Sequence, residues 1–376
     1  MTAGVTIVDG NFLLGNAYSH FSRQVVKPLS GQPIETIDNP SLLVNTILNI
    51  TMDSYEKISL STTMGFNPIE AFTNLGAYIE YASSTTITQS YSIPLVGCLN
   101  TTKFIPAFIS DIEIDLTVNN IANFISSTTL LPGSFPTSFT IKNVEIVCDA
   151  ITLEENGMQQ ILAMFPGQIK LKSQSYLYGS SSIPASQPAT TLDITYSHSL
   201  NSLKQFIWWS SPSNGWELNY AGVCPNLSTW QLLIGSMAYP QQQVKADRPS
   251  ECFMQNQKAF GSLYSTGHSG SITKYNFAKA STTSGEYASY TTKPDNMTGY
   301  INDSNANKWY QVLDLEIINN LKETLYTGIS TKGSTNTLRL NISRQLSAFT
   351  HAVHFYSCFD VILEFDYINQ VINVIQ

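Results

Sequence analysis

The sequence predicts an all-β protein that contains two β-sandwiches or jelly rolls. Apolar and polar residues alternate through most of the chain, and the alternating stretches are rich in β-branched residues. Turn-forming segments such as Leu131–Ser134 and Ser210–Gly215 separate these stretches. About thirteen candidate strands are too many for one eight-stranded jelly roll, whereas two sandwiches of roughly 180 residues each would hold them.

Each candidate strand is a run of sustained alternation that ends at turn-forming residues. In the first half of the chain these runs are Leu43–Thr51, Lys57–Thr62, Thr86–Ile93, Ile112–Val118, Phe139–Leu153 and Ile169–Tyr178. In the second half they are Leu192–Tyr196, Phe206–Trp209, Trp230–Ile234, Ile272–Phe277, Thr337–Ile342, Ala352–Phe359 and Val361–Tyr367.

Only two segments have the apolar spacing of a helix. In Glu154–Phe165 the apolar residues fall on one face, which predicts a short helix. In Trp309–Tyr326 apolar residues also recur at helical spacing, but Val312–Ile317 alternates like a strand, so both assignments remain open.

The two predicted domains meet in a segment that does not alternate. Gly179–Thr191 is rich in Ser and Pro, as joints between domains often are. We therefore predict an N-terminal jelly roll over residues 1–190 and a C-terminal jelly roll over residues 191–376. A second polar stretch, Ala280–Asn307, is predicted to be a long loop, and such loops are usually functional or disordered.

Composition and charge narrow the possible functions. Only 12% of the 376 residues are charged, about half the usual share, so the surface depends on Ser, Thr, Asn and Gln or is covered by partners. The net charge of −8 and the lack of a Lys/Arg cluster argue against direct binding of nucleic acid. No stretch approaches 18 apolar residues, so no membrane span is expected, and the N-terminus does not resemble a secretory signal. The five scattered cysteines predict buried free thiols.

Two groups of side chains have the residue types of a chemical site. Asp111, Glu113 and Asp115 share one face of a predicted strand, either as a carboxylate or cation site or, as we expect, as an acidic solvent face. His351 and His354 would share a face on a helix, as metal ligands do, but their surroundings predict a strand, which places them on opposite faces. We therefore predict no catalytic residue, no metal site and no cofactor.

The adjacent residues Trp208 and Trp209 follow two large apolar residues in a predicted strand. Alternation directs one indole into the core and the other to the opposite face. The second indole marks either an interface, where tryptophan is enriched, or a strand that is buried on both faces.

Several segments resemble parts of the major capsid proteins of double-stranded DNA viruses. In that family Phe-Asn-His-Pro-Val-Lys-Glu-Leu-Ile-Trp opens the second jelly roll, and Leu200–Trp208 is similar but one residue shorter and without His-Pro. Near the C-terminus, Asn341–Arg344 matches the family's Asn-x-Ser-Arg. Upstream, Val144–Glu155 resembles the last strand of the first jelly roll. The order of these segments points to the giant-virus lineage, and the departures favour a smaller relative such as a virophage or a Polinton-like virus.

The resemblance implies both a fold and a function. The fold would be a double jelly roll, with two eight-stranded jelly rolls side by side and a few short helices in loops. The chain would be a capsid protein and not an enzyme. Homotrimers with a pseudo-hexameric outline would tile an icosahedral shell, alongside vertex (penton) and minor capsid proteins, in a virion assembled inside the host cell. Structural roles would fall to Trp208, Trp209, Asn341, Ser343 and Arg344.

Two other functional classes stay open on the residues alone. A two-sandwich hydrolase acting on glycans or glycoproteins would need a carboxylate pair in a cleft, and the candidates are Asp111, Glu113 and Asp115. A carbohydrate-binding or adhesion module would favour a secretory signal, which the N-terminus does not resemble.

Overall fold

A computed structural model shows a protein built mainly of antiparallel β-strands, with three short α-helices whose two ends both lie among the residues described. The structure describes the chain except residues 1, 8–10, 15, 30, 53–55, 57–58, 61–62, 66–75, 78–84, 101–103, 124, 128–138, 213–221, 223, 247, 261–308, 317–326, 347–349 and 376. The prediction of an all-β fold with few short helices is confirmed. No helix in the described part of the chain is long and apolar enough to cross a membrane.

The first half of the chain forms three small sheets. Their strands are β1 (Thr2–Ile7), β2 (Asn11–Leu14), β3 (Phe21–Pro28), β4 (Glu35–Asp38), β5 (Gly76–Ala77), β6 (Thr85–Ser90), β7 (Ile112–Val118), β8 (Ile125–Ser127) and β9 (Phe139–Lys142). The strand orders of the three sheets are β6-β1-β9, β5-β2-β8 and β4-β3-β7. Helix α1 (Pro40–Thr51) packs against β3 and the 3-10 helix Ala17–His20, and a second 3-10 helix spans Ile121–Asn123.

The second half forms a sandwich of two larger sheets. The strands are β10 (Gln168–Ile183), β11 (Thr191–Tyr196), β12 (Leu203–Pro212), β13 (Leu227–Ile234), β14 (Met237–Lys245), β15 (Gln311–Asp314), β16 (Asn336–Ile342), β17 (His351–Asp366) and β18 (Val371–Ile375). The four-stranded sheet has the order β11-β16-β13-β14, and the five-stranded sheet has the order β10-β17-β12-β15, with β18 also paired to β17. Helices α2 (Glu155–Met164) and α3 (Pro249–Ala259) complete the described elements.

The chain passes repeatedly between these two sheets. It leaves the four-stranded sheet after β11 for β12, returns for β13 and β14, crosses for β15, returns for β16 and crosses again for β17. Such crossing is characteristic of jelly rolls, because consecutive strands then cover the two sides of one core. β10 precedes the boundary predicted at residue 190, which stays a prediction, yet it pairs with β17 along its whole length.

One predicted strand is a helix in the structure. Leu43–Thr51 belongs to α1, which begins at Pro40 after the left-handed residue Asn39 (φ 50°). Its β-branched residues favour a strand, but Leu43, Ile47 and Ile50 are also spaced as one helical face. Burial of that face against the core outweighs the local preference. Of Lys57–Thr62 the structure describes only residues 59 and 60, which are also helical.

The prediction of a strand over Phe139–Leu153 holds only for its first four residues, which form β9. Asn143 has a left-handed backbone (φ 53°), and residues 143–153 have no strand partner among the described residues. Alternation indicates which face a strand would bury, but it does not supply a neighbouring strand.

The glycine at the start of the predicted joint lies inside a strand. β10 continues through Gly179 to Ile183, so only residues 184–190 form the loop before β11. A Cβ on Gly179 would overlap the ring of Phe355 on the paired strand β17. The glycine is therefore required by this close approach and does not mark a turn.

Other predictions are confirmed with small shifts of their ends, including the strands at β6, β7, β11, β12, β13 and β16 and the helix α2. The first half of Trp309–Tyr326 contains the strand β15, which resolves the open assignment there. Ala352–Phe359 and Val361–Tyr367, predicted as two strands, form the single strand β17. Ile272–Phe277 and Ala280–Asn307 lie outside the described residues.

Candidate structural site around the tryptophan strand

Trp208 lies in the core of the second-half sandwich. Its indole is fully buried and meets Trp230 on β13 of the opposite sheet edge to face, with ring centroids 5.4 Å apart. It meets Trp309 in the same way at 5.1 Å. Edge-to-face contacts between aromatic rings add to the stabilisation that comes from burying their area. Trp208 therefore joins the two sheets through a cluster of three indoles.

Trp209 points to the other face of the same strand and is equally buried. It stacks on His354 and Tyr356 of β17 and meets the ring of Tyr310 edge to face at 5.7 Å. The Tyr356 hydroxyl donates to the carbonyl of Asn39 (2.7 Å), just before α1. Because this contact reaches the first half of the chain, the face of β12 that carries Trp209 lies at the junction between the halves. β12 is thus buried on both faces.

His354 is part of this junction. Its Nδ1 lies 2.9 Å from the Tyr178 hydroxyl and its Nε2 lies 3.1 Å from the Ser211 hydroxyl. Burial lowers its pKa to about 4, so the ring is neutral at neutral pH. His351 is also buried, and because both lie on strand β17 their side chains point to opposite faces, as the sequence predicts.

A buried ionic network lies at the start of the tryptophan strand. The Lys204 ammonium is 2.7 Å from the Glu316 carboxylate and 3.6 Å from the Asp360 carboxylate. Burial by itself would lower the pKa of Lys204, but the hydrogen bond to Glu316 and the charges of Asp360 and Glu316 outweigh this effect and raise it. The Ser202 hydroxyl donates to Asp360 (2.6 Å), and the Thr327 hydroxyl donates to Glu316 (3.1 Å). The network ties β12 to β17 and to the segment after β15.

Asn341 joins three strands of the four-stranded sheet. Its amide nitrogen donates to the Thr229 hydroxyl on β13 (2.6 Å) and to Gln243 on β14 (3.3 Å). Its amide oxygen accepts from the Thr191 hydroxyl on β11 (2.7 Å). One side chain on β16 thus links that strand to every other strand of the sheet, which is consistent with the structural role that the resemblance implies.

Ser343 and Arg344 follow β16 in a loop. The Ser343 backbone N–H and hydroxyl both donate to the carbonyl of Asn226, at 2.9 and 2.7 Å. Asn226 precedes β13 and has a left-handed backbone (φ 51°). Arg344 is exposed and makes no ion pair or hydrogen bond with any residue that the structure describes. Of the three predicted residues near the C-terminus, Asn341 and Ser343 therefore make hydrogen bonds within the chain, whereas Arg344 makes none with the described residues.

The acidic residues Glu113 and Asp115 form a solvent face of strand β7. Lys27 on the paired strand β3 lies 3.5 Å from Glu113 and 2.8 Å from Asp115. The hydrogen bond that the Lys27 ammonium donates to the Asp115 carboxylate raises the pKa of Lys27. Asp111 precedes the strand and is exposed. Among the described residues no group of three His, Cys, Asp or Glu side chains is arranged to hold a metal ion.

We expect the replacement of Asp111, Glu113 or Asp115 by Asn to change the free energy of unfolding by no more than about 0.5 kcal/mol, because Asp111 is exposed and the side chains of Glu113 and Asp115 are 44% and 47% exposed. Chemical denaturation of the three variants beside the unaltered protein measures this change. Release of reducing sugar from a glycan panel by the unaltered protein, with loss of that release in the variants, would contradict the prediction that the chain is not an enzyme.

Glu35 on β4 is a buried carboxyl group where the first half of the chain meets β10. Its Oε1 accepts a hydrogen bond from the backbone N–H of Cys98 (2.9 Å) and another from the Ser175 hydroxyl on β10. Burial raises its pKa to about 7, although these hydrogen bonds oppose the rise. The other titratable groups that face it, Tyr18, Cys98 and Tyr176, are weak acids that supply no positive charge.

We expect the unaltered protein to lose stability as the pH rises from 4.5 to about 7, and we expect Glu35→Gln to lack this loss. The folded protein holds this proton more tightly than the unfolded chain, so stability is full below the ordinary pKa of 4.5 and is lost as the pH rises through about 7. That interval corresponds to about 3 kcal/mol as an upper limit. Urea denaturation at pH 5 and pH 8 measures the effect, with exposed Glu113→Gln as the matched control. An equal pH dependence in Glu35→Gln and unaltered protein would contradict it.

Sequence reasoning missed three residues that contribute to these sites: Glu316, Asp360 and Asn256. Lys204 is visible in the resemblance as the lysine before the tryptophan, but nothing in the sequence marks Glu316 and Asp360 as its partners. Asn256 of α3 donates to the carbonyl of Tyr310 and accepts from the N–H of Val312, both at 2.8 Å, and so holds the start of β15. Pro249, which begins α3, is the local signal that was available for this helix.

The fold is similar to those of solved viral capsid proteins. A quasi-atomic structure of the PBCV-1 virus capsid matches with a TM-score of 0.55 and 9% sequence identity, over 100% of this chain and 88% of that chain. PBCV-1 VP54, fitted into a reconstruction of the virophage Sputnik, matches with a TM-score of 0.54 and 9% identity over the same shares. The Faustovirus major capsid protein matches with a TM-score of 0.53 and 8% identity, over 96% of this chain and 76% of that chain.

No protein-family model matches the sequence, and no curated protein is significantly similar to it. Sequence identities below 10% establish the likeness at the level of the fold. The likeness extends over essentially the whole chain, which includes both halves and the tryptophan strand that the resemblance first indicated. The chain therefore has the double jelly-roll fold found in major capsid proteins of large double-stranded DNA viruses.

Proposed function

We propose that this chain is a viral major capsid protein. Three copies form a trimer with a pseudo-hexameric outline, and trimers tile an icosahedral shell. The observation that carries the proposal is the fold likeness over 100% of this chain and 88% of the PBCV-1 capsid chain. A match of that extent accounts for both halves of the chain with one architecture.

The composition supports assembly. With 12% charged residues and 43% hydrophobic residues, the chain has less charged surface to keep in water than most soluble proteins of its size. Interfaces between subunits are depleted in charge at their centres, so a weakly charged surface suits a protein that is covered by copies of itself. The function is then mechanical enclosure, with no catalytic residue and no cofactor.

The proposed location is the virion shell, and assembly takes place inside the host cell. Partners are neighbouring trimers and, at the edges and vertices of the shell, minor capsid and vertex (penton) proteins. The net charge of −8 supports a shell that encloses the genome without direct contacts to nucleic acid.

Light scattering and negative-stain microscopy of the purified chain test the proposal. We expect trimers with a six-sided outline and, at high protein concentration, sheets or closed shells. Obligate interfaces commonly bury more than about 2,000 Å², so trimers should survive dilution and moderate salt. A strictly monomeric species at every protein concentration and salt concentration would overturn the proposal.

A further inference from the structure

The segment between β9 and α2 is rich in exposed apolar residues and has no strand partner in the described part of the chain. Residues 143–153, called the arm below, are all exposed and have no regular secondary structure. The large apolar residues among them are Val144, Ile146, Val147, Ile151 and Leu153. Ile146 is 62% and Val147 is 93% exposed. Soluble monomers rarely expose this much apolar surface in one place unless it forms an interaction site.

The backbone of the arm also has no hydrogen-bond partner among the residues that the structure describes. No hydrogen bond or ion pair joins residues 143–153 to any residue that the structure describes. Helix α2, which follows directly, has no buried residue and leaves Met164 and Phe165 exposed at its end. Exposed apolar side chains therefore lie on both sides of α2 along the chain.

We propose that the arm is an intersubunit strand that docks on a second copy of this chain. This inference rests on the proposed capsid function and names a surface through which its subunits associate. Backbone groups of the arm would pair with the edge of a sheet in the neighbouring copy, while its apolar side chains would cover apolar surface there.

The length and the charge of the arm favour a second copy of this chain over nucleic acid or anionic lipid as its partner. A segment of this length can span up to about 40 Å, enough to contribute a large part of the roughly 800 Å² that each partner buries in a standard interface. Glu145 and Asp149 on the arm, and Glu154 after it, are exposed carboxylates. Their charge opposes binding to the phosphates of nucleic acid or anionic lipid.

A closed trimer also needs two different patches on each subunit. In a cyclic assembly of three, the surface that one copy donates meets a different surface on the next copy. The chain also exposes three large apolar side chains outside the arm: Leu29, which follows β3, and Phe104 and Phe108, in the segment before β7. A hydrogen bond from the Leu29 N–H to the carbonyl of Asp111 (3.0 Å) fixes Leu29 beside that segment. One chain therefore carries both a donor arm and apolar surface apart from it.

Cys148 makes the proposal testable without altering the protein. It is exposed in the middle of the arm, whereas Cys98, Cys224, Cys252 and Cys358 are buried. A maleimide reagent should label one thiol per chain in diluted, monomeric protein. In trimers we expect the rate of labelling at Cys148 to fall at least about tenfold, because the docked arm shields the thiol. Peptide mapping identifies the labelled cysteine.

Variants at Val147 test the apolar contact. Val147→Asp should raise the protein concentration needed for half-maximal trimer formation at least about tenfold, without changing the thermal melting temperature (Tm) of the monomer, because the side chain is 93% exposed. Val147→Ile keeps the apolar character and should assemble like the unaltered protein. Met254→Asp, which adds the same charge at an exposed position on α3, is the control for charge alone.

The possible results distinguish a failure of the arm proposal from a failure of the proposed capsid function. Trimers in which Cys148 reacts as fast as in the monomer, together with normal assembly of Val147→Asp, would refute the arm and leave the capsid function standing. Protection of Cys148 in the monomer would place the arm on its own chain, and protection only by added phosphatidylcholine vesicles would assign it to lipid; either result overturns the proposal. Unaltered protein that never assembles would refute the capsid function and the arm together.

Discussion

Replacing Trp208 by alanine is expected to lower the free energy of unfolding by about 3–5 kcal/mol. The indole is fully buried and contacts Trp230 and Trp309, so truncation removes its area and opens a cavity between the two sheets. The free energy of unfolding of a whole domain is only roughly 5–15 kcal/mol, so the expected loss is a large fraction of the total. Thermal melting followed by circular dichroism measures the loss.

Two variants serve as controls for this prediction. Phe104→Ala truncates an aromatic side chain that is 67% exposed and should leave the Tm nearly unchanged. Trp209→Ala removes an equally buried indole from the opposite face of β12, where Tyr356 reaches the carbonyl of Asn39. It should loosen the contact between the halves and expose the loop before α1 to limited proteolysis more than Trp208→Ala does. A Trp208→Ala protein that melts like the unaltered chain would contradict the account of the core.

The sequence predicted the second half better than the first, and the tryptophan strand shows why. In β12 large aromatic residues alternate between two buried faces, so the pattern is strong and belongs to a strand regardless of its neighbours. In α1 the pattern is ambiguous, since Leu43, Ile47 and Ile50 suit a helix and the β-branched residues suit a strand. Only packing against the core, which involves residues distant in sequence, decides between them.

Buried polar residues make a local sequence pattern misleading in a different way. Asp360 interrupts an apolar run, which predicts a break between two strands, yet β17 continues through it. The carboxylate accepts a hydrogen bond from Ser202 and faces Lys204, so the buried charge is compensated and no turn is needed. These partners lie far from Asp360 in sequence, and local reasoning cannot identify them.

In the arm the sequence pattern predicts a strand that the structure does not form. Its alternation predicts a strand, and its resemblance to the last strand of a first jelly roll predicts the same. A strand nevertheless requires a partner for its backbone, and the described part of the chain provides none. A local pattern therefore reports the tendency to pair, while the position of the partner is a property of the fold or of the assembly.

Replacing Lys204 by methionine is expected to cost about 3–5 kcal/mol of stability, because it leaves the carboxylates of Glu316 and Asp360 buried without their cation. Methionine keeps most of the volume of the lysine stem, so the effect reports charge and not a cavity. Urea denaturation at pH 7 measures it. Lys170→Met is the matched control, since it removes an ion pair to Glu364 in which the lysine is 54% exposed, and such pairs contribute roughly 0–1 kcal/mol.

A triple variant distinguishes the loss of the cation from a general disturbance of β12. Combining Lys204→Met with Glu316→Gln and Asp360→Asn makes the whole network neutral, while the amide oxygens can still accept from Thr327 and Ser202. Neutralising a buried ionic network entirely is often close to neutral for stability, so the triple variant should recover most of what Lys204→Met loses. If Lys204→Met costs no more than Lys170→Met, the buried network does not stabilise the fold in the way its geometry indicates. If the single variant is costly and the triple variant recovers, the lysine that precedes the tryptophans is there to compensate two carboxylates from distant parts of the chain.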